Sequence, residues 1–164
     1  MQRERSGARV IEPSDAGFTL LELMMVVLII AILIAVLLPT FLGASQRAND
    51  RAVQASLRNA LTAAKAVYVD GQDYANATPA RLNAEGVPVR FVAAGTNPTG
   101  QNSVSVFGSG NYLALGAASK SGTCFYLEDD AAGAGTLFAR QTSSGGCSAL
   151  GAPLPGDPGW KSAW

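Results

Sequence analysis

The sequence predicts an α+β fold: a long N-terminal helix, apolar in its first half and amphipathic in its second, packed on a small antiparallel β-sheet. Three observations carry this. Residues 23–38 form an unbroken apolar run inside a stretch, 23–46, that holds no charged side chain. Immediately beyond it Val53, Leu57, Ala60, Leu61, Ala64, Val67 and Tyr68 recur at helical spacing. After Gly86, short β-prone runs alternate with Gly, Asn, Ser and Asp. A chain of 164 residues suffices for one domain plus a tail or membrane segment.

Residues 1–17 are polar, with Arg3, Arg5 and Arg9 balanced by Glu4, Glu12 and Asp15, and Pro13 discourages a helix through it. They read as a leader or a disordered tail. Twenty residues of helix over 23–42 span about 30 Å, the thickness of a bilayer's hydrocarbon core. Pro39 and Gly43 weaken the far end and offer a point of flexibility, since proline removes a helical hydrogen bond and glycine adds backbone freedom. Arg47, Asp50, Arg51 and Arg58 lie largely off the stripe that follows, so the helix changes surroundings partway along. One helix is expected from about Phe18, ending near Gly71. Residues 79–86 allow a helical turn or a loop. Strands are expected at 87–94, 103–107, 112–118, 123–128 and 136–140, with Gly108-Ser109-Gly110-Asn111 closing a hairpin. The segments are thus 1–17, 18–43, 44–70 and 71–164, the last ending in a Pro/Gly-rich tail.

Composition narrows the function classes. Net charge is zero and no basic face stands out beyond Arg47, Arg51 and Arg58, so no specific nucleic-acid recognition is expected. The chain has no histidine, which removes the commonest acid/base group and metal ligand. A serine nucleophile would need a lysine or another base beside it, and Lys65, Lys120 and Lys161 are far apart in sequence. No phosphate-binding glycine loop is present, and no enzyme site, cofactor or metal site is expected. The run Glu128-Asp129-Asp130 is a poor chelate for calcium, which takes six or more oxygens from spaced positions, and reads better as a solvated turn. Cys124 and Cys147 are spaced wrongly for a redox CxxC, and a disulfide in an oxidising compartment is the better reading. Closing that loop is worth about 3 kcal/mol in the chain-entropy picture. Trp160 and Trp164 are expected to anchor the tail on the sheet.

The most informative stretch is Gly17-Phe18-Thr19-Leu20-Leu21-Glu22 followed by the apolar run. A carboxylate at the mouth of an apolar helix asks for a partner. This pattern resembles the processing site of type IV prepilins and pseudopilins, over about residues 17–44 and, more loosely, to Tyr74. The resemblance implies that a prepilin peptidase cuts after Gly17 and methylates the new terminus at Phe18. It implies that Glu22 pairs during assembly with the α-amine of a neighbouring subunit's Phe18. Phe18 and Glu22, four apart, are expected on one helix face. Pro39 and the pair Cys124 and Cys147 also fall where such proteins carry a helix proline and a C-terminal disulfide. Asp15-Ala16 stand where the family usually places Lys or Arg.

The implied partners are other copies of the chain in a helical filament, the peptidase, the inner-membrane pilus assembly machinery, and the membrane before assembly. The implied localisation is the cytoplasmic membrane, with the C-terminal region outside, and then the cell surface. Such filaments serve adhesion, motility or secretion. Arginines flank both sides of the apolar segment, so orientation rests on the disulfide. Three other readings compete: a type II secretion pseudopilin, a single-pass membrane sensor that keeps residues 1–17, and a secreted enzyme released by signal cleavage near Gly43-Ala44-Ser45. Against the last, the helical stripe continues past the cut and Glu22 stands where a signal peptide is basic.

Overall fold

The computed structural model describes residues 17–142 and 145–164, without the side chains at positions 39 and 40. The leader expected over 1–17 therefore lies, save for Gly17, outside the described residues. The chain forms two compact units, one ending at Phe41 and the other comprising Leu42–Trp164. Helix α1, Leu20–Gly71, belongs to both and is continuous through positions 39 and 43. It starts two residues later than Phe18, and the reason lies in the capping described below.

In the first unit the large apolar side chains of α1 are all open, from Ile30 at 48% exposure to Leu21 at 77%. In the second unit α1 buries one stripe. Val53, Leu57, Ala60 and Ala64 are fully buried and Val67 is 1% exposed, while Arg47, Arg51 and Arg58 face solvent. The helix ends at Gly71, where Gln72 turns left-handed with φ 51° and its N–H reaches the Tyr68 carbonyl at 2.6 Å. A single 3-10 turn, Tyr74–Asn76, follows, and then α2, Pro79–Ala84. Thr78 caps α2 and Pro79 stands in its first turn, where a missing N–H costs nothing.

Five strands follow: β1 Arg90–Ala93, β2 Ser103–Ser109, β3 Tyr112–Ala118, β4 Thr123–Asp130 and β5 Gly135–Thr142. They lie in chain order in one sheet. Three neighbouring pairs are antiparallel, but β1 and β2 run parallel, with Arg90 opposite Ser103 and Ala93 opposite Val106. This departs from the fully antiparallel sheet expected. The connection over 94–102 turns back at Ala93, whose carbonyl accepts from Thr96, and returns along β1 until Asn102 accepts from the Arg90 N–H. β1 is also shorter than expected. Its outer edge does not stay open, because the Asn83 amide both donates to and accepts from the Phe91 backbone, at 3.1 and 2.9 Å.

The β2–β3 hairpin closes where the glycines predict, with Ser109 opposite Tyr112 and Gly110 supplying φ 55° at the first loop position. Alternation then divides the sheet's side chains. Val104, Val106, Leu113, Leu115, Phe125 and Leu127 join the α1 stripe in one core. On the opposite face Cys124, Tyr126 and Ala139 pack under Cys147 and Trp160. The C-terminal segment crosses that face so closely that a β-carbon at Gly116 would stand 2.5 Å from the Cys147 carbonyl oxygen. Trp164 packs on Phe125 and Phe138, with ring centroids 5.1 and 4.9 Å away, so both tryptophans anchor the tail.

Leu57 sits at the centre of the helix–sheet contact with no exposure. Leu57→Ala is expected to destabilise the second unit by about 2–5 kcal/mol, seen as a lower urea midpoint at unchanged m-value for the full chain in detergent.

Candidate functional site

The foot of α1 is built by four residues. Leu20 is the first helical residue, which makes Thr19 the N-cap and Glu22 the third residue of the helix. The Glu22 carboxylate accepts from the Thr19 backbone N–H and from its hydroxyl, both at 3.0 Å, and the Thr19 hydroxyl accepts from the Glu22 N–H at 3.2 Å. This is a reciprocal capping box, in which two otherwise orphaned N–H groups are satisfied. The sequence signal for it, Thr-x-x-Glu ahead of an apolar run, is present in Thr19-Leu20-Leu21-Glu22. Glu22, expected to await a partner, therefore already has one in Thr19 within the subunit.

Capping also corrects the expected geometry at Phe18. Because Thr19 is the cap, Gly17 and Phe18 lie before the helix in irregular, exposed backbone, and Phe18 is 83% exposed. Phe18 and Glu22 thus do not share a helix face. The Gly17–Phe18 peptide instead sits in an open segment of the kind proteases accept.

Far along the chain, Cys124 on β4 is joined to Cys147, with Cα atoms 5.1 Å apart. The bridge is buried beside Tyr126 and Trp160, and Trp160 donates its indole N–H to the Leu154 carbonyl at 3.1 Å. It fastens the C-terminal segment to the sheet face that α1 does not cover.

Glu128-Asp129-Asp130 is neither a chelating loop nor a solvated turn. It is the end of strand β4, so successive carboxylates point to opposite faces. Asp129, 2% exposed, faces α1. There it meets the Lys65 ammonium at 2.9 Å, the Tyr74 hydroxyl at 2.6 Å and the Thr136 hydroxyl at 2.5 Å. Burial alone would push its carboxyl up. The hydrogen bonds from Thr136, Tyr74 and Lys65, with the ammonium's charge, outweigh that and hold it below its ordinary value. Tyr74 is driven up by burial and by the carboxylate it donates to. Glu128, on the other face, is pushed up by burial, though Tyr112 donates to it at 3.2 Å. Tyr112 itself is pushed up to about 12, by burial and by that carboxylate. Sequence pattern missed this cluster because its members come from positions 65, 74, 129 and 136.

The apolar half of α1 lies open, and an exposed Gly-Phe peptide stands at its foot. Residues 13–38 match the family model for the prokaryotic N-terminal methylation motif, which is the leader signature of type IV prepilins and pseudopilins. The match contains Gly17, Phe18 and Glu22. No curated protein matches the chain. The signature implies processing by a prepilin peptidase.

Asp129 and Glu128 pull stability in opposite directions with pH. The lowered carboxyl of Asp129 contributes stability that is present above its ordinary value of 3.8 and is lost as pH falls through the folded value. The raised carboxyl of Glu128 makes the fold less stable as pH rises past its ordinary value of 4.5. Asp129→Asn is expected to cost about 2 kcal/mol at neutral pH, a figure discounted because Lys65 is half exposed. It should also flatten the loss of stability in acid, as measured by urea midpoints on either side of the carboxylate range.

Proposed function

We propose that this chain is a structural subunit, not an enzyme, of a type IV pilus or closely related extracellular filament. The observation that carries the reading is the coincidence, at one helix, of the methylation signature with a run of exposed apolar side chains. The helix is long and apolar enough to cross a membrane by length and composition. Each large side chain removed from water contributes about 1.5–3 kcal/mol, so such a surface favours either a bilayer or a bundle of like helices. The subunit waits in the cytoplasmic membrane with residues 44–164 outside, is cut between Gly17 and Phe18 and methylated at Phe18, and then moves into the filament core. Pro39 and Gly43 provide the flexibility for that transfer. The oxidising exterior suits the Cys124–Cys147 bridge.

A pseudopilin of a type II secretion system shares the signature. The disulfide and the engagement of Asp129 by Lys65, Tyr74 and Thr136, which withdraws it from any calcium loop, favour the pilus subunit. In the filament Glu22 neutralises the α-amine of a neighbour's Phe18, where an uncompensated charge in a water-poor core is costly. In the isolated subunit Thr19 occupies the same carboxylate.

Two measurements test this. Intact mass of the native protein is expected to show loss of residues 1–17, one added methyl group and two hydrogens missing for the disulfide. A terminus near Ser45, or retention of residues 1–17, would exclude the reading. Glu22→Ala is expected to leave the subunit inserted and cleaved but to abolish sheared-filament yield. Glu22→Gln separates the two roles of the carboxylate, because glutamine preserves a capping box and removes the charge. Filament loss in Glu22→Gln assigns assembly to the charge. Wild-type filament yield in that variant would show that Glu22 acts as a cap and would overturn the ion-pair mechanism.

A further inference from the structure

The end of the sheet nearest Asn49 and Asp50 carries a cleft that the filament reading does not use. Two loops form its walls. One is the connection that enters β2, with Gly100, Gln101 and Asn102, and the other is the β3–β4 turn, with Lys120. Consecutive side chains of α1 hold both walls. Asn49 Oδ1 accepts from the Gln101 amide at 2.5 Å, and Asp50 Oδ1 accepts from the Ser119 and Ser121 hydroxyls at 2.6 and 2.5 Å. The cleft, about 370 Å³, is therefore pinned to a rigid helix on both sides.

Its chemistry is unbalanced. Arg90 and Lys120 line it, and among the described residues neither has an acidic partner. Asp50, the carboxylate on the helix side of the turn, is occupied by two hydroxyl donors. Ser103 also lines the cleft, directly across the ladder from Arg90, and so projects from the same sheet face. It is 3% exposed, and its hydroxyl is buried without any hydrogen-bond partner. A buried hydroxyl normally has a partner, and one left alone costs the fold its desolvation. Two uncompensated cations beside an unused donor make a complementary site for a compact oxyanion.

We propose that Arg90, Lys120 and Ser103 bind a phosphate group, with the guanidinium supplying a forked contact, the ammonium a point charge and the hydroxyl a single donor. The cleft is larger than the group itself and leaves room for part of the molecule that carries it. Free phosphate and the headgroup of an anionic phospholipid present the same chemistry. The site is independent of whether the chain assembles into a filament.

The three lysines of the chain allow a test with internal controls. The full chain is held in phosphatidylcholine nanodiscs, and acetylation of Lys120 is followed by mass spectrometry against Lys65 and Lys161, in chloride and in inorganic phosphate at equal ionic strength. A parallel sample contains phosphatidylglycerol in the nanodisc and no free phosphate. Lys120 is expected to be selectively protected. Protection by inorganic phosphate alone assigns a soluble phosphate, and protection by phosphatidylglycerol assigns the headgroup. Arg90→Gln is expected to weaken apparent affinity about tenfold or more, and Ser103→Ala about threefold, in line with a charged and a neutral hydrogen bond. Ser103→Ala should do so without lowering the melting temperature, since the hydroxyl has no partner in the fold. Lys120 acetylation that neither phosphate nor phosphatidylglycerol lowers relative to Lys65 and Lys161, or undiminished protection in the Arg90→Gln, Ser103→Ala double variant, would overturn the proposal.

Discussion

The contact between the α1 stripe and one face of the sheet is what the rest of the second unit depends on. Val53, Leu57, Ala60, Ala64 and Val67 present a narrow apolar ridge, two of them alanines. Val104, Leu113, Leu115, Phe125 and Leu127 fill the space opposite. Without this ridge five short strands would expose an apolar face to water. Without the sheet the helix would be left with an apolar stripe of its own.

Hydrophobic burial is non-directional, so polar contacts must decide where along the ridge the sheet sits. They occur in order along α1. Asn49 and Asp50 hold the β1–β2 connection and the β3–β4 turn. Lys65 meets Asp129 on β4. Tyr68 accepts no such charge but donates to the Asn111 side chain at 2.8 Å, and the neighbouring Gly110 carbonyl accepts from the Tyr74 N–H at 2.7 Å. Both ends of the sheet are thus tied to particular turns of one helix. The opposite face is closed by the tail, which the disulfide and Trp160 hold in place.

The first half of α1 follows different physics. Its large apolar side chains are exposed, and its foot carries the Thr19–Glu22 capping box. That box gives Glu22 a defined position in a single subunit and keeps the Gly17–Phe18 peptide out of the helix. A carboxylate already positioned by a neighbouring residue loses less conformational freedom when it meets a second partner than one that is free. Local stability of the helix foot and the assembly role proposed for Glu22 therefore draw on the same carboxylate.

Much of this was legible in the sequence, because it depends on short-range pattern. The change from an uncharged apolar run to a helical stripe, the end of the helix near Gly71, the five β-prone runs, the Gly110-Asn111 turn and the Gly-Phe-Thr-Leu-Leu-Glu signature are each properties of a few neighbouring residues. What tertiary structure alone decided depends on distance in space. The direction of β1 follows from the path of its return loop, which no local periodicity encodes. The fate of Asp129 follows from Lys65, Tyr74 and Thr136 arriving from other elements, so an acidic run that looked like a solvated turn became a buried, paired strand residue. The unpaired Ser103 hydroxyl beside Arg90 and Lys120 became recognisable only once three separate segments met. A sequence records which groups are neighbours along the chain, and burial and pairing are set by which groups are neighbours across it.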